Sequence, residues 1–407
     1  MRKILPMKKV LPLLFLVLFF SCKKKEKEPE PEPGPDHSFR GNIISYQLLA
    51  SYSVQQVDSV INSYSPYLSF ILQAQYPMDV YKVVYETIDV KGTAIIASGA
   101  LCIPRDNSTS FPIASYQHAT ALRKQDVPSE GFIEVSLGII IGSLGYVMAM
   151  PDYLGMGSSP GTHPYMHAKS EATAVVDMLR AGRKVTLQEG AALNGKVFLL
   201  GYSQGAHATM AALREIELYH SIEFNLAACA PMSGPYDIAG VQLDSLLRDK
   251  SNKGASVFIP YTYMGYKDIY NLPSYENVFV SPYDTLVPFL FDGTHSYSYV
   301  NSFMPDTPNT MLQPSVLNGL LAHNNANPFY KALLENNVYN WKPVTPLKII
   351  YCEGDELVFF QNSIAAYNYF ISAGSTSVSK QKAGTYSHED CTLFALLAAR
   401  TFFQQHY

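Results

Sequence analysis

Lys196-Val197-Phe198-Leu199-Leu200-Gly201-Tyr202-Ser203-Gln204-Gly205-Ala206-His207-Ala208 runs from an uninterrupted apolar stretch, through a serine between two glycines, into an alanine-rich segment. The apolar run reads as a buried strand. Ala208, Ala211, Ala212 and Ile216 share one helical face, so the second half reads as a helix. A serine at the apex of such a strand-turn-helix is held in a sparsely populated backbone conformation, and side chains two residues to either side would meet the neighbouring strand or helix. Glycines at 201 and 205 remove that obstacle. The helix aims the positive end of its dipole at the serine, where an oxyanion forms during acyl transfer. The fragment therefore predicts a nucleophile elbow carrying Ser203.

A serine hydroxyl needs a base to take its proton and a third group to orient that base. Downstream, Leu347-Lys348-Ile349-Ile350-Tyr351-Cys352-Glu353-Gly354-Asp355 reads as a buried strand with a carboxylate just past its end. His388 lies in a short loop ahead of a last helix, read as Leu393 to Phe403. The order Ser203, Asp355, His388 is the one used by strand-elbow hydrolases. Asp237, after the strand ending at Ala230, and Asp152 are the competing acids. His207 lies in the elbow helix and reads as packed or exposed. His163 and His167 have metal-like spacing, but Pro164 interrupts any helix presenting both, and no metal site is expected. One oxyanion donor is expected from the Gln204 amide. The second comes from the loop Tyr116-Gln117-His118-Ala119-Thr120 after an early strand, with Ala119 and Thr120 both candidates.

Outward from these motifs, Ser53-Val54-Gln55-Gln56 is a capping box opening a short helix. Strands are predicted at Val80 to Ile88, Thr93 to Ile103, Pro112 to Tyr116, Tyr146 to Met150, Val197 to Leu200, Leu226 to Ala230 and Leu347 to Tyr351. A helix follows from Ser170 to Gly182, and the alternation implies a mostly parallel sheet covered by helices on both faces. From about 239 to 341 the rhythm gives way to Tyr, Pro, Asn and Phe with short helical pieces. This stretch is read as a cap inserted over the carboxyl edge of the sheet. Its aromatic residues Tyr261, Tyr263, Tyr266, Tyr270, Phe289 and Phe291 either line a pocket or fill the cap's own core. Gly155-Met156-Gly157 lacks the spacing of a dinucleotide fingerprint, and Pro160 stands where the helix should begin, so no organic cofactor is expected.

At the N-terminus, Arg2, Lys3, Lys8 and Lys9 precede eleven apolar residues, Val10 to Phe20, too few to span a bilayer. Ser21-Cys22 follows as a lipobox-like site, so residues 1–21 are expected to be a lipoprotein signal peptide and Cys22 the lipidated residue. Residues 22–38, with their Glu-Pro repeat, form a tether, and 39–407 the catalytic body. The whole chain has a formal net charge of −4; without the four positive charges of the signal it is about −8, which argues against nucleic acid as a partner. Of the remaining cysteines, Cys352 and Cys391 each lie three residues from a candidate catalytic residue. They either bridge and brace the site or are small buried hydrophobes.

Taken in order, Tyr116-Gln117-His118-Ala119-Thr120, Pro151-Asp152-Tyr153-Leu154-Gly155-Met156-Gly157, His163-Pro164-Tyr165-Met166-His167, the Gly201–Gly205 elbow and Gly354-Asp355-Glu356-Leu357-Val358 resemble the secretory lipases of the α/β-hydrolase superfamily and their bacterial lipoprotein relatives. The elbow also looks like that of cutinases, which are much shorter chains. The resemblance implies an α/β-hydrolase fold with a lid and a serine esterase or lipase acting on small-molecule or lipid esters, with Ser203, Asp355 and His388 as its triad. The enzyme would be anchored at the cell envelope through Cys22. Relatives often carry glycine where Ala119 stands. A serine exopeptidase on the same scaffold and a non-catalytic surface-binding lipoprotein are the alternatives.

Overall fold

Among the described residues nine strands join into one sheet in the order β1-β2-β3-β5-β4-β6-β7-β8-β9. They are β1 (Ile43–Tyr52), β2 (Met78–Ile88), β3 (Ala94–Pro104), β4 (Ser110–Gln117), β5 (Val147–Pro151), β6 (Ala192–Tyr202), β7 (Asn225–Met232), β8 (Leu347–Cys352) and β9 (Val378–Gly384). β1, β2, β3 and β5 pair antiparallel; β5, β4, β6, β7, β8 and β9 pair parallel. The sheet is thus mixed and mostly parallel, an α/β fold as the sequence predicts. The computed structural model describes residues 37–131, 133–248 and 254–407. The expected signal peptide, Cys22 and the tether as far as residue 36 lie outside the described residues.

Helices cover both faces. On one side pack α1 (Val54–Tyr64), α2 (Pro66–Ser69), α3 (Val135–Gly142) and, at the end of the chain, α13 (His388–Gln404); on the other pack α4 (Ala168–Gln188), α5 (Gln204–Tyr219) and α12 (Gln361–Ser372). The predicted capping box is made: Gln56 N–H donates to Ser53 Oγ at 3.2 Å and Ser53 N–H to Gln56 Oε1 at 2.8 Å. Val197, Phe198 and Leu199 are fully buried, as a central strand covered on both faces requires.

Between β7 and β8 the chain forms α6 (Leu243–Arg248), α7 (Phe258–Tyr266), α8 (Tyr283–Leu290), α9 (Tyr297–Asn301), α10 (Pro314–Leu321) and α11 (Pro328–Glu335). These helices pack around their own apolar cluster, which includes Tyr261, Tyr263, Tyr266 and Phe291, while Phe289 is exposed. The buried aromatics therefore fill a core.

Register decides where the chemistry can occur. Gln117 in β4 stands level with Gly201 in β6, Tyr202 with Met232 in β7, and Met232 with Ile350 in β8. The strands therefore end together, and the loops holding Ala119, Ser203 and Asp355 leave the sheet at one edge.

Three expectations are corrected. β1 and β9 are absent from the sequence reading, because neither has a continuous apolar run; both are edge strands with few buried side chains. The last helix begins at His388 rather than Leu393, with Ser387 as its N-cap accepting from Asp390 N–H at 3.2 Å. His388 is thus a first-turn helical residue and not part of a loop.

Candidate active site

Ser203 has φ 59° and ψ −122°, a conformation costing a non-glycine residue about 1–3 kcal/mol. Its amide donates to Met232 C=O at 3.0 Å, which locks the turn against β7. A Cβ on Gly201 would stand 2.3 Å from the Gly205 carbonyl oxygen, and one on Gly205 would stand 1.9 Å from that of Gln117. Glycine is therefore a steric requirement at both positions.

Asp355 and His388 meet. Asp355 Oδ2 lies 2.8 Å from His388 Nδ1, while Oδ1 accepts from the amides of Leu357 at 3.1 Å and Val358 at 2.8 Å. The carboxylate cannot turn away without losing the amides, so it presents one oxygen to the ring and directs the Nδ1 proton toward itself. Two features hold the pair together. Gly354 runs against the backbone of Thr385 and Tyr386, where a Cβ would come within 2.4 Å of the Thr385 oxygen. Cys352 and Cys391 form a disulfide that joins the end of β8 to the first turn of α13. Tyr202, next to Ser203 in the chain, donates its hydroxyl to the His388 carbonyl at 2.5 Å.

Cys102 and Cys229 are buried free thiols, so the bridging alternative holds for one pair. With a sequence separation of 39 residues, replacing both Cys352 and Cys391 by serine should cost about 2–4 kcal/mol in urea unfolding and lower kcat. An unchanged midpoint would show that the bridge does not brace this region.

The competing acids are engaged elsewhere. Asp237 accepts from Gly240 N–H at 3.2 Å, Val241 N–H at 3.1 Å and Asn337 Nδ2 at 3.0 Å, as an N-cap. Asp152 is fully buried, takes Ser98 Oγ at 2.6 Å and Ser129 Oγ at 2.5 Å, and is shifted upward in pKa by that burial. His163 and His167 are separately buried and, among the described residues, no cluster suited to a metal ion is found. In the β4 loop the Ala119 amide donates to the Glu134 carboxylate at 3.1 and 3.2 Å. That carboxyl is raised in pKa by burial. Glu134, Tyr202 and the buried pair of Glu171 with His207 carry no signature in the sequence; their partners lie far away along the chain.

Ser203 and Gln204 open into a partly enclosed cavity. Its walls are largely apolar, with Ile238, Leu243, Leu246, Phe329 and Leu333 supplied from the segment between β7 and β8, and Leu357 and Val358 from the loop after Asp355. The tyrosines raised in the sequence analysis are not its lining, Tyr165 being the tyrosine that reaches it.

Comparison with known proteins sets this geometry in a family. The secretory lipase family model matches residues 133–228. The rice cell wall degrading esterase LipA from Xanthomonas oryzae is 32% identical over 89% of this chain and 96% of its own, with a TM-score of 0.77. The chain belongs to the secretory lipase family. A Legionella pneumophila protein is 27% identical over 89% of this chain and 98% of its own, with a TM-score of 0.83. The closed state of Candida antarctica lipase A, 17% identical over 92% of this chain and 84% of its own with a TM-score of 0.69, shares the fold. A search of curated proteins finds no match. As a member of the secretory lipases the chain is an α/β-hydrolase of the esterase and lipase group.

Proposed function

We propose that the protein hydrolyses carboxylic esters through Ser203, His388 and Asp355, and that the apolar cavity receives the acyl or alcohol part of the ester. The observation that carries this is the contact of Asp355 with His388 Nδ1 at 2.8 Å, beside an elbow whose serine is held at φ 59°. Proton on Nδ1 leaves Nε2 as the base. His388 takes the Ser203 proton, the alkoxide attacks the carbonyl, and the negative oxygen is met by the Gln204 amide at the N-terminus of α5 and by a second amide. Because Ala119 N–H donates to Glu134, the second donor is Thr120. The alcohol departs with the proton from His388, and water activated by the same imidazole releases the acid.

The test is a panel of nitrophenyl esters of graded chain length set beside the matching anilides. An ester hydrolase with this cavity turns over esters and gains in kcat/KM as the acyl chain lengthens from two carbons, at up to about 0.8 kcal/mol per buried methylene. Faster cleavage of anilides than of esters would instead assign a peptidase.

We also propose that the body works outside the cytoplasm, lipid-anchored through Cys22. The secretory family, the buried disulfide and the lipobox-like Ser21-Cys22 support this. Cys22→Ala should move the enzyme from membranes to the soluble fraction; retention on membranes would overturn the anchor.

A further inference from the structure

Behind the nucleophile the fold buries polar side chains for which the hydrolytic steps above have no use. Gln204, whose backbone N–H is the proposed first oxyanion donor, is 1% exposed, and its carboxamide nitrogen donates to Glu171 Oε1 at 3.0 Å and to His163 Nε2 at 2.9 Å. His163 can accept there because its Nδ1 proton is engaged by Leu154 C=O at 2.8 Å. Burial also pushes this imidazole down to about 3, so Nε2 keeps its lone pair at neutral pH. Flipping the carboxamide would set its oxygen against a carboxylate and a lone pair, so the orientation is determined. It leaves Gln204 Oε1 buried without a hydrogen-bond partner among the described residues, at a cost of about 1–3 kcal/mol. A side chain chosen for stability alone would not carry that cost.

The second oxygen of Glu171 lies 2.6 Å from His207 Nδ1, and His207 Nε2 lies 2.8 Å from Asn336 C=O. Both side chains are almost wholly buried, and both ring nitrogens of His207 lie at hydrogen-bond distance from an oxygen. His207 follows Ser203 by one helical turn in α5, and Glu171 comes from α4. Asn336 continues the chain outward, its Nδ2 donating to Tyr270 Oη at 2.7 Å. A carboxylate clamped by the nucleophile's own helix thus grips the side chain of the residue that supplies the oxyanion amide. Apolar residues of similar volume often replace such a buried pair without loss of stability, so packing alone does not account for two polar side chains here.

We propose that Glu171, held by His207, is a positioning residue that acts through the Gln204 carboxamide to aim the first N–H of α5 at the oxyanion. This deepens the reading of Ser203 as nucleophile and rests on it. Loss of an oxyanion donor costs about 10²–10³ in kcat, and a misaimed donor costs less.

The experiment compares Glu171→Gln, Gln204→Leu and the double variant for kcat, KM and affinity for an alkyl trifluoromethyl ketone, whose serine adduct bears a negative oxygen. Glu171→Gln is expected to lower kcat about 30-fold, to leave KM within about twofold and to weaken the ketone in proportion to kcat. Gln204→Leu keeps the amide and the Glu171–His207 pair and should show the same loss, which covers the case of a misfolded Glu171 variant. In the double variant the losses should not add. Wild-type kcat in either single variant, a rise in KM without weaker ketone binding, or additive losses would overturn the proposal. Ser203→Ala separates the two readings: activity surviving there sinks the nucleophile, whereas an inactive Ser203→Ala beside a fully active Glu171→Gln sinks only the positioning role.

Discussion

Ser203→Ala should lower kcat/KM for a short-chain nitrophenyl ester by about 10⁴–10⁶-fold and abolish labelling by a fluorophosphonate, with the fold unchanged. The magnitude follows from the division of labour at the site. In the proposed mechanism no acyl-enzyme forms without the hydroxyl, and His388 with Asp355 has no proton to take. What survives is whatever substrate binding and the amides of α5 and the β4 loop provide against uncatalysed hydrolysis. The fold should tolerate the change because alanine keeps the Cβ and the amide bond to Met232, so circular dichroism and the unfolding midpoint serve as controls. Activity at a tenth of wild type or more would remove Ser203 from the chemistry and with it the proposed mechanism.

Gly205→Ala should be the most damaging single methyl group in the molecule. The new carbon would stand 1.9 Å from the Gln117 oxygen, 2.6 Å from its carbonyl carbon and 2.8 Å from the His118 oxygen. All three are backbone atoms at the end of β4, so no rotamer change relieves the contact, and either α5 or the strand end must move. We expect a loss of about 3 kcal/mol or more in unfolding free energy. Activity in any folded fraction should also fall, since Gln117 and His118 lead directly into the loop of Ala119 and Thr120. Wild-type stability and turnover in Gly205→Ala would mean that the elbow and β4 are not packed as described.

These two expectations differ in how far the sequence anticipates them. Gly201, Ser203 and Gly205 announce the elbow because the constraint is local: strand, turn and helix are contiguous, and each residue type answers a clash within the same fragment. The central strands are legible for a related reason. Strands buried on both faces must be apolar throughout, as Val197 to Leu200 are. β1 and β9 carry no such pattern. Val378–Gly384 is largely polar and becomes a strand because β8 offers it a hydrogen-bonding edge.

The site divides in the same way. Asp355 and His388 could be chosen from chain order and from their places at the ends of elements, but nothing local distinguished a bridged Cys352–Cys391 pair from two small core residues. Distance in space decides that, and the approach of Gly354 to Thr385 and Tyr386 supplies it. His207 likewise read as an ordinary helix residue. Its meaning comes from Glu171, 36 positions earlier, and from Asn336, 129 positions later.

From its residues alone this chain specified an α/β core, a serine elbow and a candidate order Ser203, Asp355, His388 for a triad, since periodicity, turn chemistry and steric exclusion act over a few neighbouring positions. Folding added the contact of Asp355 with His388, the engagement of Ala119 by Glu134, the apolar cavity and the buried grip on Gln204. Those depend on which distant segments share a low-dielectric interior, where a polar group must find its partner across the chain.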